Sequence, residues 1–222
     1  MKRVILSWSS GKDSAWALGE LHRDPDVEVV GLLTTVNKTH GRVAMHAVRE
    51  ELLRSQAAAA GLALEQIDLP WPCPNGVYED LMAGAVERLL SAGATHMAFG
   101  DLFLEDIRAY REERLAGTGL KPLFPLWGRD TSELAHAMTD PETGLEAYLT
   151  CVDPKQLAQE FAGRRYDRKL LDELPSSVDS CGENGEFHTF VTRAPALRED
   201  VAVTLGEVVE RDGFWFADLL PD

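Results

Sequence analysis

The chain has few cysteines, no long apolar run and a shortage of basic residues. Its three cysteines, Cys73, Cys151 and Cys181, show no CxxC spacing, so we expect reduced thiols rather than a disulfide framework or a four-cysteine zinc site. No apolar run approaches the roughly 20 residues that a membrane-spanning helix needs, and the apolar stretch at the N-terminus is too short for a signal peptide. We therefore expect a cytoplasmic protein.

The scarcity of positive charge bears on the kind of partner. Only 22 Lys and Arg stand against 37 Asp and Glu, which gives a formal net charge of −15. Proteins that bind RNA or DNA gain affinity by neutralising phosphates with Lys and Arg. The negative electrostatic field of this chain opposes the binding of nucleic acid, although a local basic patch is compatible with it. The net charge therefore favours a small molecule or a protein as the substrate.

Strands and helices alternate along the first part of the chain. Strands are predicted at 3–7, 27–36, 62–69, 95–100 and 121–124, and helices at 15–22, 45–60, 77–91 and 104–116. This alternation is typical of a parallel, doubly wound α/β sheet. Beyond residue 144 we predict strands at 145–152 and 187–193, helical pieces, and a hairpin of 201–210 with 214–219. The sequence therefore predicts a nucleotide-binding region of residues 1–140 and a smaller α+β region of residues 141–222.

The most informative stretch is residues 9–14, SSGKDS, which joins the first strand to the first helix and is called here the phosphate loop. Small residues let the backbone approach an anion, and the free N–H groups and dipole of a first helical turn attract negative charge. Lys12 adds a full positive charge, and Ser9 and Ser14 add hydroxyl donors. Asp13 suits such a site if it holds Mg²⁺ or caps the helix. The alternative is an ordinary strand-to-helix turn with a serine N-cap.

Polar side chains also occur where a parallel sheet binds its ligands. Further stretches of interest are Met45-His46, residues 99–111, Leu126-Trp127-Gly128 and residues 181–190. Asp101 follows the fourth strand, at the edge where open α/β sheets bind ligands, and a helix N-cap is the alternative for it. Glu105 and Arg108 have i, i+3 spacing, which allows either a surface ion pair or substrate contacts.

The late motif, residues 181–190, holds two carboxylates and an imidazole within six residues. Its glycines allow sharp turns, which we expect to aim Glu183 and Glu186 into a common space. With His188, these side chains could hold an ammonium, a substrate amine or a metal, or act as a general base. One alternative is a solvated acidic turn. Another is a zinc site built from Cys151, Cys181 and His188.

The phosphate loop resembles the SGGxDS loop of the N-type ATP pyrophosphatases, also called PP-loop enzymes or adenine nucleotide alpha hydrolases. Ser10 stands where the first glycine usually lies. Taken with the other stretches, the loop is similar to the diphthine–ammonia ligase-like branch of that superfamily, over essentially the whole chain. The typical late motif of this branch, Gly-Glu-x-Gly-Glu-Tyr/Phe, is matched by residues 182–187. Diphthamide enzymes more often continue with Glu, and this chain has His188 there.

The resemblance implies a HUP-type α/β fold and an ATP pyrophosphatase-type amide ligase that uses ATP and Mg²⁺. A carboxylate would be adenylated with release of pyrophosphate, and ammonia or an amine would then displace AMP. The implied catalytic residues are Lys12, Asp13, Glu183 and Glu186, with Asp13 also the metal ligand. The implied nucleotide-binding residues are Ser9, Ser10, Gly11, Lys12, Asp13, Ser14, Gly100 and Asp101. The implied substrate-binding residues are His46, Glu105, Arg108, Glu183, Glu186 and His188.

Two other classes stay open from the sequence. A tRNA-modifying PP-loop enzyme would need a polyanion-binding surface and often paired cysteines or zinc, and the acidic charge opposes it. A non-catalytic ATP-binding module, similar to universal stress proteins, would bind nucleotide without turnover. The sequence is compatible with an oligomer.

Overall fold

The computed structural model describes residues 1–38, 42–43 and 48–222. The first part of the chain contains β1 (Lys2–Ser7), α1 (Lys12–Arg23), β2 (Val27–Asn37), β3 (Arg42–Val43), α2 (Glu50–Ala60), β4 (Leu64–Leu69), α3 (Asn75–Ser91), β5 (His96–Ala98), α4 (Glu105–Leu115), β6 (Lys121–Leu123) and α5 (Thr131–Met138). The second part contains β7 (Glu146–Val152), a 3-10 turn (Gln159–Phe161), α6 (Arg168–Glu173), β8 (Phe187–Arg193), β9 (Val203–Arg211) and β10 (Phe214–Pro221). None of the helices in the described ranges is long and apolar enough to cross a membrane.

The first sheet is mostly parallel and has the strand order β3-β2-β1-β5-β6, with β4 also pairing with β2. Strand β1 lies between β2 and β5, so that Leu6 pairs with Leu32 on one side and with Ala98 on the other. The chain leads from β1 to β2 on one side and from β5 to β6 on the other, so the strand order reverses between β1 and β5 and a crevice forms at their carboxyl ends. The predicted α/β class is confirmed.

Burial on both faces explains the apolar sequence of β1. Val4 and Leu6 pack into the core on one face of the sheet, and Ile5 packs into a second core on the other face. Such two-sided burial is typical of parallel strands covered by helices. The first core continues into the second sheet, where it includes Leu149 and Phe190.

The second sheet is antiparallel, with the order β8-β7-β10-β9, and contains the predicted hairpin as β9 and β10. Its strand β8 lies against the start of α1. The Val191 amide donates to the Ser10 carbonyl at 3.0 Å, and the Lys12 amide donates to Thr189 Oγ1 at 3.0 Å. The buried Gln56 side chain of α2 completes this contact by donating to the carbonyls of Ser10 (3.1 Å) and Val191 (2.6 Å). The division of the chain after residue 140 stays a prediction.

Some predicted elements differ from the structure. The helix expected from residue 45 is α2, which begins at Glu50, and its expected first residues lie partly outside the described ranges. Helix α5 falls on a segment that the periodicity left unassigned. Helix α4 begins at Glu105 with Leu104 as its N-cap, so the N-cap alternative for Asp101 is wrong.

Candidate functional site

The phosphate loop turns sharply at Ser10, whose φ of 70° lies in the left-handed region. Glycine adopts this region without penalty, and this explains physically why the resembling loops have glycine there. Ser10 is fully buried and donates its hydroxyl to the Ser9 carbonyl. The Ser9 and Ser14 hydroxyls lie 3.2 Å apart, and Ser14 Oγ donates to the Gly11 carbonyl at 2.9 Å.

Helix α1 has no side-chain cap. Gly11 is its N-cap residue, which makes both the serine N-cap and the Asp13 cap wrong. The amides of a first helical turn have no acceptors within the helix, so they are available to an anion unless another group takes them. Here the Lys12 amide is taken by Thr189 Oγ1.

Lys12 is a buried cation, with only 2% of its surface exposed. Its Nζ donates to both carboxylate oxygens of Asp13 at 2.9 and 2.8 Å and to the carbonyl of Cys181. The Nζ also lies 5.6 Å from the ring centroid of Tyr166 and 5.5 Å from that of Phe187. Burial alone lowers the pKa of Lys12, but Asp13 and other nearby groups outweigh it, and the net pKa lies above its usual value. Lys12 therefore stays charged.

Gly100 allows β5 to end directly against the phosphate loop. A Cβ at this position would lie 3.1 Å from the Asp13 carbonyl carbon and 3.2 Å from both the Asp13 oxygen and the Ser14 nitrogen. Any side chain would therefore push on loop backbone, which would have to shift by a few tenths of an ångström.

Asp101, the next residue, faces Arg111 of α4. Arg111 Nε lies 3.6 Å from Asp101 Oδ2, which is an ion pair but too long for a hydrogen bond. Both atoms are buried without a hydrogen-bond partner among the described residues. Burial raises the pKa of Asp101, and although Arg111 opposes this the net pKa lies above its usual value. The Arg111 guanidinium lies 5.0 Å from the Phe99 ring centroid.

The late motif is held by two carboxylates that point into its own turn. Asp179 Oδ1 accepts from the amides of Cys181 (2.9 Å) and Glu183 (3.2 Å). Glu186 is fully buried, and its oxygens accept from the amides of Asp179 (2.8 Å) and Asn184 (2.9 Å). The expectation that Glu183 and Glu186 face a common space is wrong, because Glu186 stabilises the turn from inside.

Glu183 is the carboxylate of the late motif that faces the site. Its Oε2 accepts weakly from the Leu102 amide at 3.4 Å. Burial and the nearby carboxylate of Asp13 raise the pKa of Glu183 to about 8, although Lys12 and the Leu102 amide act in the opposite direction. A carboxyl group with a pKa close to neutral can both accept and return a proton.

These groups open onto a cavity of about 860 Å³. Its polar end is lined by six of the predicted nucleotide-binding residues, Ser9, Lys12, Asp13, Ser14, Gly100 and Asp101, and by Glu183, His188 and Thr189. Ser10 and Gly11 shape the loop from behind and do not line the cavity. His46 lies outside the described residues.

Two predicted substrate contacts lie elsewhere. Arg108 pairs with Glu112 at 2.8 Å and stacks on Phe124 and Trp127, so the predicted ion pair with Glu105 is wrong. Neither Glu105 nor Arg108 lines the cavity. The helix face that does line the cavity carries Arg111, which was not predicted as a site residue. One sequence pattern could have indicated Arg111: it lies on one helix face with Leu104, Ile107 and Leu115.

The cysteines are free thiols. Burial raises the pKa of both Cys151 and Cys181 to about 12, so neither is a thiolate near neutral pH. Cys181 Sγ donates to the Thr131 carbonyl at 3.3 Å. Within the described ranges no three His, Cys, Asp or Glu side chains form a metal-binding group, so the zinc alternative gains no support.

Comparisons with known proteins concern the family that this chain resembles. Residues 130–219 match the family model of the diphthamide synthase C-terminal domain. A segment of 96 residues is 32% identical to the diphthine–ammonia ligase of Schizosaccharomyces pombe (strain 972 / ATCC 24843). That segment is 41% of this chain and 16% of the yeast protein, so the match spans well under a fifth of its length. The predicted resemblance to the diphthine–ammonia ligase-like branch is confirmed.

Proposed function

Because the chain is related to the diphthine–ammonia ligases, we propose that it is an ATP-dependent ligase that adenylates a carboxylate and then forms an amide with ammonia or an amine. The observation that carries the proposal is the shared cavity. The start of α1, the Lys12 ammonium and the near-neutral carboxyl of Glu183 all line it.

ATP is a substrate in this proposal, and its pyrophosphate end lies at the phosphate loop. The amides at the start of α1 and the charge of Lys12 stabilise the negative charge that grows on the departing pyrophosphate. The Asp13 carboxylate now accepts from Lys12 Nζ at 2.8 and 2.9 Å. Phosphate oxygens of ATP would compete with Asp13 for this ammonium.

The donor set fits Mg²⁺ held partly by the nucleotide. Mg²⁺ usually takes one or two protein carboxylates, substrate phosphates and water. Asp13 and Asp101 line the same end of the cavity, and Asp101 Oδ2 is buried without a hydrogen-bond partner among the described residues. These two residues would hold the ion, which when bound neutralises phosphate charge.

The first chemical step forms a bond between a carboxylate oxygen and the α-phosphorus and breaks the bond from that phosphorus to the bridging oxygen of pyrophosphate. In the second step the nitrogen attacks the acyl carbon, AMP leaves, and the nitrogen loses a proton. Glu183 faces the cavity with a pKa of about 8, which suits it to accept that proton near neutral pH.

The test measures products from ATP with a carboxylic acid and ammonium. AMP and pyrophosphate should appear in equal amounts, whereas ADP and phosphate would contradict the proposal. Lys12→Ala should abolish the reaction. Lys169→Ala, at a side chain with 80% exposure, is the matched control and should keep wild-type turnover. Nucleotide binding without AMP for any acid would favour the non-catalytic module.

A further inference from the structure

The cavity is larger than its polar end, and its second part has a different chemistry. It continues between helices α3 and α4 and the face of the first sheet, and this part is called here the apolar arm. The arm is lined by Leu33, Met82, Val86, Leu90, Met97, Phe99, Ile107 and Leu115. Leu33 and Met97 belong to the sheet, Phe99 directly follows β5, and all three are at most 4% exposed, so the arm follows the buried sheet face.

Helices α3 and α4 bridge the arm on its outer side. Arg114 Nη1 of α4 lies 2.7 Å from Glu79 Oε1 of α3, and both side chains are about half exposed. Both residues also line the cavity. This ion pair thus links the two helices on the outer side of the arm, and the arm itself stays open.

The lining of the arm favours hydrocarbon over a purine base. A base needs polar groups at its edge for orientation, and specific pockets supply them at a few defined points. The polar groups of the lining between α3 and α4 are largely engaged with other protein groups. Arg114 pairs with Glu79, Tyr78 bonds Tyr110, and the Thr118 hydroxyl donates to the Leu115 carbonyl at 2.8 Å. Glu87 is the remaining charged group of this wall. The end of β2 offers Thr34 and Thr35 closer to the phosphate loop, which is the better place for adenine.

Arg111 lies where the arm meets the polar end. Its guanidinium is held over Phe99, and its Nε is buried without a hydrogen-bond partner among the described residues. A guanidinium binds a carboxylate through paired N–H donors. Asp101 lies 3.6 Å from the Arg111 Nε and opposes an anion at this point, so a substrate carboxylate would compete with Asp101 for the guanidinium.

We propose that the acid substrate is amphipathic, with its carboxylate at Arg111 beside the phosphate loop and a hydrocarbon body in the apolar arm. The inference rests on the proposed ligase function, because it assigns the acid that this ligase would activate. An apolar arm that joins a charged polar end matches such a molecule, and it makes a small, fully polar acid the poorer substrate.

The experiment uses straight-chain carboxylates from acetate to decanoate with Mg²⁺ and ATP, and hydroxylamine traps the activated acyl group as a hydroxamate. The value of kcat/KM should rise by about fourfold per methylene until the arm is full. Arg111→Gln should lower kcat/KM for octanoate by about tenfold or more, because a charge-assisted hydrogen bond is lost.

Met82→Trp fills the arm and tests it separately from the charge. It should lower kcat/KM for octanoate at least tenfold relative to kcat/KM for acetate, because acetate is too short to reach into the arm. Its affinity for a non-hydrolysable ATP analogue, measured alongside, reports whether adenine lies in the arm instead. Val77→Trp, on the same helix but outside the cavity lining, is the matched control and should resemble wild type. Circular dichroism checks that each variant is folded.

The outcomes separate this inference from the proposed function. If Met82→Trp weakens the ATP analogue instead, the arm holds adenine and the inference is overturned. If no acid is activated, the affinities of the protein for octanoate and for acetate, measured by calorimetry, test the arm without turnover. Tighter binding of octanoate that Met82→Trp removes supports the arm although the ligase proposal fails, and equal binding of the two acids overturns the inference.

Discussion

Replacing Gly100 with alanine would place a methyl group against the backbone of the phosphate loop. The added carbon would lie 3.1–3.2 Å from three main-chain atoms of Asp13 and Ser14. Main-chain atoms cannot rotate away as a flexible side chain can, so either β5 or the loop must shift by a few tenths of an ångström. Overpacking of this kind costs about 1–3 kcal/mol of unfolding free energy. For a chain of this size, each kcal/mol lowers Tm by about 2–4 °C.

The same shift should affect the chemistry more than the stability. A misplacement of about 1 Å can reduce catalysis by about a hundredfold, so a smaller shift of the loop should reduce AMP and pyrophosphate formation by about tenfold. Gly19→Ala is the matched control, because Gly19 lies on α1 with no atom within 4 Å of its added Cβ. That change should keep activity and add up to about 1 kcal/mol of stability. A Gly100→Ala protein with wild-type turnover and Tm would refute the packing argument.

Three further predictions follow from individual side chains. Between the ordinary pKa of 4.5 and the folded value of about 8, native Glu183 keeps a proton that the unfolded chain has lost. The unfolding free energy from this group therefore falls as pH rises through that window. Glutamine does not titrate, so Glu183→Gln should remove this fall in unfolding free energy. The unfolding free energy of the variant, measured with urea, should therefore rise relative to that of the wild type from pH 5 to pH 9; parallel pH dependences of the two proteins would contradict this. Glu186→Gln should cost about 1–3 kcal/mol in the same assay, because one buried amide loses its carboxylate acceptor, and an unchanged urea midpoint would show that the turn does not depend on it. Ser10→Gly should be about 1 kcal/mol more stable than Ser10→Ala, because only alanine retains the cost of a positive φ; equal Tm values would disprove the strain.

The sequence predicted those parts of the molecule that depend on local pattern. The apolar run of β1 and the small residues after it were enough to place the phosphate loop at a strand-to-helix junction. The direction of a side chain inside an irregular turn has no such pattern. Gly182 and Gly185 have φ values of 71° and 83°, and the turns they make bring Glu186 into the protein while Glu183 faces the cavity. The two glutamates of the late motif therefore have different roles.

The assignment on α4 failed for a related reason. The i, i+3 rule joined Arg108 to Glu105, but the structure joins Arg108 to Glu112 and lets it stack on Phe124 and Trp127. The pair with Glu112 follows the i, i+4 spacing, whereas the aromatic partners come from a distant segment that no local rule contains. Arg111, one turn further along α4, takes the position beside Asp101.

The phosphate loop is a short continuous segment, but contacts with distant segments stabilise its conformation. The left-handed Ser10 is held through its carbonyl by Gln56 of α2 and by the Val191 amide of β8. Lys12 is held by the Cys181 carbonyl of the late motif. Each contact joins residues far apart in the chain, so α2, β8 and the late motif all contribute to the conformation of the loop. The phosphate loop and the late motif are therefore in direct contact, and a change that loosens the turn around Glu186 should reach the phosphate loop through Cys181 and Lys12.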